Sequence, residues 1–159
     1  LSRRRNFTSD DFHKHHPGGM LGIGLRTITE IVRFKIGDNV TAVLDSMNVG
    51  DALNAAKPQE GKRRAGAILL VDDENKLTGI FTDGDLRRLV IDSSNPMEQT
   101  IGEVATKNPR HLNATALVQD AQQLVTQYRV DEIPIVDANN SPIGLIDVQD
   151  LIAMKVVTE

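Results

Sequence analysis

The chain has 159 residues and a formal net charge of -4 at pH 7, room for one domain or two small ones sharing a core, with charges too mixed in sign to argue for nucleic acid as a partner. Aromatic residues make up only 3% and Trp is absent, so the core is expected from Val, Ile, Leu and Ala. Cys is absent too, which excludes disulfides and thiolate chemistry and fits a reducing cytoplasm, and no apolar run approaches the roughly 18 residues needed to span a bilayer.

Along the chain, Leu1 to Asn6 carries Arg3, Arg4 and Arg5 with no apolar stretch behind them, so no secretory leader is expected. The absence of an initiator Met suggests a fragment. Val40 to Leu44 reads as a short extended segment. A helix follows near Val49 to Ala56, interrupted in pattern by Gly50 and ended by Pro58. Two apolar runs come next, Ala67 to Val71 and Leu77 to Phe81, joined by Asp72-Asp73-Glu74-Asn75, a hairpin turn signal. Asp83 to Val90 reads as a helix. Arg110 to Leu112 is again extended. Ala116 to Tyr128 is helical, with Leu117, Ala121, Leu124 and Val125 at helical spacing and Thr115 as its expected cap. Ile133 to Val136 and Ile143 to Ile146 form a second strand pair around the turn Asp137 to Ser141, and Val148 to Ala153 closes with a helix.

The second half therefore repeats the first. Ile68-Leu69-Leu70-Val71-Asp72 returns 65 residues later as Ile133-Pro134-Ile135-Val136-Asp137, and Gly79 to Leu86 returns at the same offset as Gly144 to Leu151. Asp51-Ala52 matches Asp120-Ala121 at an offset of 69, which puts four extra residues in the first copy, within Gln59 to Arg64. Each unit runs strand, helix, strand, strand, helix. About fifty residues bury little core alone. Two copies packed sheet to sheet solve that problem and leave a cleft between them as a natural ligand site.

This unit order, with Gly79, Thr82, Asp85 and Leu86 in one copy and Gly144, Asp150 and Leu151 in the other, resembles the cystathionine-β-synthase-type (CBS) domain family over about Ile36 to Lys155. The fold the resemblance implies is α/β (α+β), a pseudo-twofold pair of units. A narrower resemblance lies in GIFTDGDLRR, Gly79 to Arg88, and FTSDDFHKHHPGGMLG, Phe7 to Gly22. Together they look like arabinose-5-phosphate isomerases and their capsule-type relatives, in which a sugar-isomerase domain ends in His-Pro-Gly-Gly and a CBS pair follows. The implied division is residues 1–25 as the tail of a sugar-isomerase domain and linker, 26–95 as the first CBS domain and 96–159 as the second. The implied parent interconverts ribulose 5-phosphate and arabinose 5-phosphate, a supply step for 3-deoxy-octulosonate in the bacterial envelope.

Several residues follow as candidates. Thr82 and Asp85 lie three apart at a helix start, where free N–H groups and a partial positive charge suit phosphate. The same pair reads equally as a plain helix cap. The family implies that each site is shared between copies. Thr82 and Asp85 would then meet His111, Val130 and Asp131, and Asp150 would face Ala65, Gly66 and Ala67. Asp131 repels phosphate unless it takes a ribose hydroxyl or a base amine. Asp147 and Gln149 stand where relatives often carry His, and a carboxylate at Asp147 weakens phosphate binding, so the Thr82 site is expected to be the stronger. Lys62, Arg63 and Arg64, like Arg87 and Arg88, are either phosphate ligands or solvated charge, and solvated charge is the commoner outcome.

His13, His15 and His16 fit no common zinc spacing, and no metal or other cofactor is expected. The resemblance makes His16 the parent's catalytic histidine, unable to act without the rest of that domain. Asp72, Asp73 and Glu74 are explained by the turn. The expected function is a regulatory module that binds a nucleotide or nucleotide sugar and acts on a sugar-isomerase domain of the same chain, as a cytoplasmic homodimer or higher oligomer. Two other readings compete with it: a purely structural dimerisation module, and an isomerase active in its own right, for which no activity is expected.

Overall fold

A computed structural model describes residues 22–58 and 65–154. The N-terminal His16 segment and the basic Lys62, Arg63 and Arg64 lie outside the described residues. Among the described residues, eight strands and five α-helices follow in chain order. They are β1 Phe34–Lys35, β2 Ala42–Leu44, α1 Val49–Ala55, β3 Ala67–Val71, β4 Leu77–Thr82, α2 Asp83–Asp92, α3 Ile101–Val104, β5 Thr106–Lys107, β6 Leu112–Asn113, α4 Val118–Tyr128, β7 Glu132–Val136, β8 Pro142–Asp147 and α5 Val148–Ala153.

The repeat read from the sequence is present in the geometry. β2 pairs parallel with β3, and β3 antiparallel with β4; β6, β7 and β8 do the same. Both hairpins turn by one mechanism. Asp72 Oδ1 accepts from the Glu74 and Lys76 amides, and Asp137 Oδ1 from those of Asn139 and Ser141. Asn75 and Asn140 supply the positive φ, 64° and 65°, that closes each turn. The two tips meet: Lys76 Nζ donates to the Asn139 carbonyl at 3.1 Å and the Leu77 amide to that of Asn140 at 2.9 Å.

The exchange of segments between the halves was not anticipated. The sheets order as β2-β3-β4-β5 and β1-β8-β7-β6. β1, which precedes the first copy, is thus the edge of the second copy's sheet; β5, which precedes the second copy, edges the first. The flanking residues follow their strands. Ile28 is fully buried with Val118, Ala121 and Ile133 of the second copy, and Ile101 with Val43, Val49 and Ile68 of the first. A third cluster, including Phe34, Leu69, Leu77, Ile80, Val136 and Leu145, draws on both halves. It joins them into one core, aliphatic apart from Phe34 and Phe81.

The exchange also explains the signature glycines. Gly79 pairs with Lys107 and Gly144 with Lys35. A Cβ at Gly144 would lie 2.7 Å from the Phe34 carbonyl oxygen, and one at Gly79 lies 3.1 Å from that of Thr106. Glycine lets the incoming backbone approach. One local expectation fails. Thr115 does not cap α4, because its amide and hydroxyl both bond Asn113 Oδ1. The helix starts at Val118, and Asp120 Oδ2 reaches back to the Leu117 amide instead.

Candidate functional site

The cleft forms where the start of α2 in the first half meets the start of β7 in the second. Its volume is about 840 Å³, within the range of small-molecule sites. Thr82, Asp83, Gly84, Asp85 and Arg88 line one side; Val130, Asp131 and Glu132 line the other. Thr106, Asn108, Pro109 and Arg110 from the inter-repeat segment close one end beside Tyr128, and Gly66 and Ile80 complete the wall.

Thr82 is the N-cap of α2. Its Oγ1 accepts from the Asp85 amide at 3.1 Å, and its own amide donates to Asp85 Oδ2 at 3.0 Å. This reciprocal box satisfies two donors at the helix start. Asp85 is nearly buried, and its second oxygen accepts from Arg88. The sequence order Thr-x-x-Asp-x-x-Arg makes this possible, since residues three apart share a helix face. Both Thr82 and Asp85 are therefore committed to the helix end while also lining the cleft. Arg110 lies with its guanidinium carbon 3.3 Å from the centre of the Tyr128 ring, a cation–π contact that holds a positive group at the rim.

The lining is unusually acidic for a site facing a helix N-terminus. Asp83, Asp85, Asp131 and Glu132 stand against Arg88 and Arg110. Glu132 feels this most. Partial burial, then the charges of Asp147, Asp131, Asp83 and Asp85, push its carboxyl up from 4.5 to about 7. Strand register places Asp147 directly opposite it.

The structure thus brings Thr82, Asp85, Val130 and Asp131 together in one cleft, as the shared arrangement implies. It departs from that arrangement at His111, Gly66, Ala67 and Asp150. His111 is exposed and outside the lining; its Nδ1 lies 3.0 Å from the Pro109 carbonyl, which folds the ring back on its own turn. Gly66 lines the Thr82 cleft rather than facing Asp150, and Ala67 pairs with Thr82 in the sheet. The reason is that β3 and β4 are neighbours, so the start of β3 sits beside the end of β4. Asp150 instead meets Arg33 from the segment before β1, Nη1 to Oδ1 at 2.9 Å. Its other oxygen is buried without a hydrogen-bond partner. Asp147, unlike Thr82, caps its helix through the next-but-one amide, that of Gln149, at 2.8 Å, so Asp150 is left out of a capping box. Glu132, Arg110 and Tyr128 were missed in the sequence. Only the adjacency of Glu132 to Asp131 hinted at it.

Among the described residues no group of His, Asp and Glu could hold a metal ion, and no helix is long and apolar enough to cross a membrane.

Comparison with known proteins bears on this geometry. The CBS domain model matches twice, over residues 28–92 and 101–156. Arabinose 5-phosphate isomerase KdsD of Pseudomonas aeruginosa is 32% identical over 157 residues, 99% of this chain and 47% of that enzyme. The chain spans less than half the length of such relatives. Among solved structures, CBSX2 in complex with AMP has a TM-score of 0.64 at 21% identity, covering 82% of this chain and 96% of that one. The cytosolic domain of the Mg2+ channel MgtE in complex with ATP has a TM-score of 0.62 at 18% identity, covering 86% and 51%.

Proposed function

The chain belongs to the CBS domain family, carrying two copies, and from that premise we propose that it is the nucleotide-sensing regulatory module of an arabinose-5-phosphate isomerase. The carrying observation is the cleft itself: a cavity of about 840 Å³ shared by both copies, with the Thr82-Asp85 helix start on one wall and Val130-Asp131 on the other. The helix N-terminus suits a phosphate. The acidic groups suit ribose hydroxyls and an exocyclic amine. Proteins of this fold hold AMP or ATP, which supports a nucleotide or nucleotide sugar as the ligand class.

The parent activity rests on the relatives. Their isomerases are about twice as long as this chain, so the module would act on a sugar-isomerase domain beside it, with His16 as that domain's catalytic histidine. The parent reaction is ribulose 5-phosphate to arabinose 5-phosphate, feeding 3-deoxy-octulosonate and envelope polysaccharide in the cytoplasm. Regulation then requires the ligand to bind two states of the whole enzyme with different affinity. The exposed Val90 and Ile91 of α2 support association of two such modules in a homodimer.

Calorimetric titration with AMP, ATP, CMP and CMP-sugars tests the proposal. Binding of at least one, weakened at least tenfold in Asp85→Ala, is expected. Folded protein that binds none of them ends the sensing reading. A purely structural role has one observation in its favour, since Thr82 and Asp85 already satisfy each other as a cap. It expects ligand-independent melting temperatures and parent activity unchanged by Thr82→Ala.

A further inference from the structure

We propose that Glu132 is the specificity-determining residue of the cleft and acts as a proton-dependent charge gate, so that an anionic phosphate ligand enters together with one proton taken up by its carboxyl. This rests on the nucleotide reading of the cleft and adds to it a rule for which charge states of the ligand are accepted.

The geometry carries the inference. Gly66, at the start of β3, separates two carboxylates from opposite halves of the molecule. A Cβ placed on Gly66 would lie 3.5 Å from Asp83 Oδ2 and 3.7 Å from Glu132 Oε2. The two carboxyl oxygens therefore converge on one spot of the cleft wall, beside the α2 N-terminus where a phosphate is best received. Asp147 faces Glu132 from the end of β8, and Asp131 precedes it on the approach to β7. From α2 come Asp83, Asp85 and Arg88; Tyr128 comes from the end of α4, and Arg110 from the inter-repeat segment. Of the two cations among the described residues of this lining, Arg88 is engaged by Asp85 and Arg110 lies on the Tyr128 ring. Neither pairs with Glu132.

Burial and like charge make ionised Glu132 costly before any ligand arrives, and its carboxyl titrates at about 7. A phosphate adds negative charge to the same space and raises the cost. The cheapest response is protonation of the group already poised to accept a proton. By linkage, affinity for the anion falls as pH rises above the free carboxyl's midpoint, by at most one decade per pH unit for one proton. A neutral nucleoside lacks the phosphate that drives this uptake. The gate therefore discriminates by ligand charge, and it ties occupancy to pH in the neutral range.

The test is calorimetry on this chain with AMP and with adenosine at pH 7.0 and 8.5, each in two buffers of different ionisation enthalpy. A phosphomonoester loses its second proton near pH 6, so AMP itself is almost fully dianionic across this window. The expected result is a loss of AMP affinity of about five- to tenfold between the two pH values, with net proton uptake near pH 7.5 and no such dependence for adenosine. In Glu132→Gln, AMP binding should become independent of pH and free of proton uptake. AMP binding that is constant within twofold and takes up no proton in the unmodified chain overturns the gate while leaving the nucleotide reading intact. Persistence of the full pH dependence in Glu132→Gln overturns it too, because the proton then goes elsewhere. Failure of every nucleotide to bind at both pH values overturns both readings. The proton-uptake measurement needs no variant, so it decides even if the substitution disturbs folding.

Discussion

Ionisation of Glu132 works against folding and against anion binding in the same direction of pH. Its folded carboxyl keeps its proton up to about 7, whereas the ordinary value is 4.5. Between those values the folded chain binds more protons than the unfolded one, so this residue's contribution to stability falls as pH rises through the window and is flat above it. Because the side chain is only partly buried, solvent screening reduces the effect to roughly 1–2 kcal/mol. Glu132→Gln is expected to match the parent chain near pH 4.5 and exceed its stability by about 1 kcal/mol at pH 8, measured by urea unfolding at both values. Equal stability at pH 8 would mean that Glu132 is not strained. Asp131 was legible as a cleft residue because the family arrangement names its position. Glu132 was not, since its character comes first from burial in the cleft and then from Asp147, Asp131, Asp83 and Asp85, of which only Asp131 is its neighbour in sequence.

At the scale of elements, the signature glycine is a packing device as well as a motif residue. Gly79 and Gly144 sit where a strand from the other half crosses β4 or β8. Gly144→Ala puts a methyl group 2.7 Å from a backbone oxygen, and neither strand can move without disturbing its sheet. A loss of about 1–3 kcal/mol is expected. Gly24→Ala, whose Cβ would meet only Gln119 at an ordinary 3.5 Å, serves as the control. Denaturant midpoints that shift equally for the two would contradict the crossing as the reason for glycine. The long strands and helices were readable because hydrophobic alternation and spacing extend over five or more residues. β1 and β5, two residues each, carry no period to read. Thr115 failed as a cap because Asn113 bonds it locally, and such a turn competes with a helix start on equal terms.

For the whole molecule, exchange of β1 and β5 ties the halves together more strongly than face-to-face packing alone. Cut into residues 26–95 and 96–159, each half loses the edge strand that belongs in its sheet, together with Ile101 or Ile28 from its core. Neither half is expected to melt cooperatively alone, and mixing the two should restore a single transition followed by circular dichroism. Two cooperative melts from isolated halves would contradict a shared core. The cleft also depends on both halves, because Thr82 and Asp85 meet Asp131 and Glu132 only across that junction.

The sequence by itself determined the two-copy architecture, the order of elements within each copy and the Thr82-Asp85 helix start, because repetition, hydrophobic period and capping chemistry are local and survive in a linear string. Only the tertiary structure decided which half supplies each edge strand, that Gly66 belongs to the Thr82 cleft, that His111 turns away and that Arg33 takes Asp150. Those outcomes depend on which surfaces meet when two units of the same topology pack together. The charge state of Glu132 follows from the same meeting, since burial and like charges from separate strands and helices act on it through space.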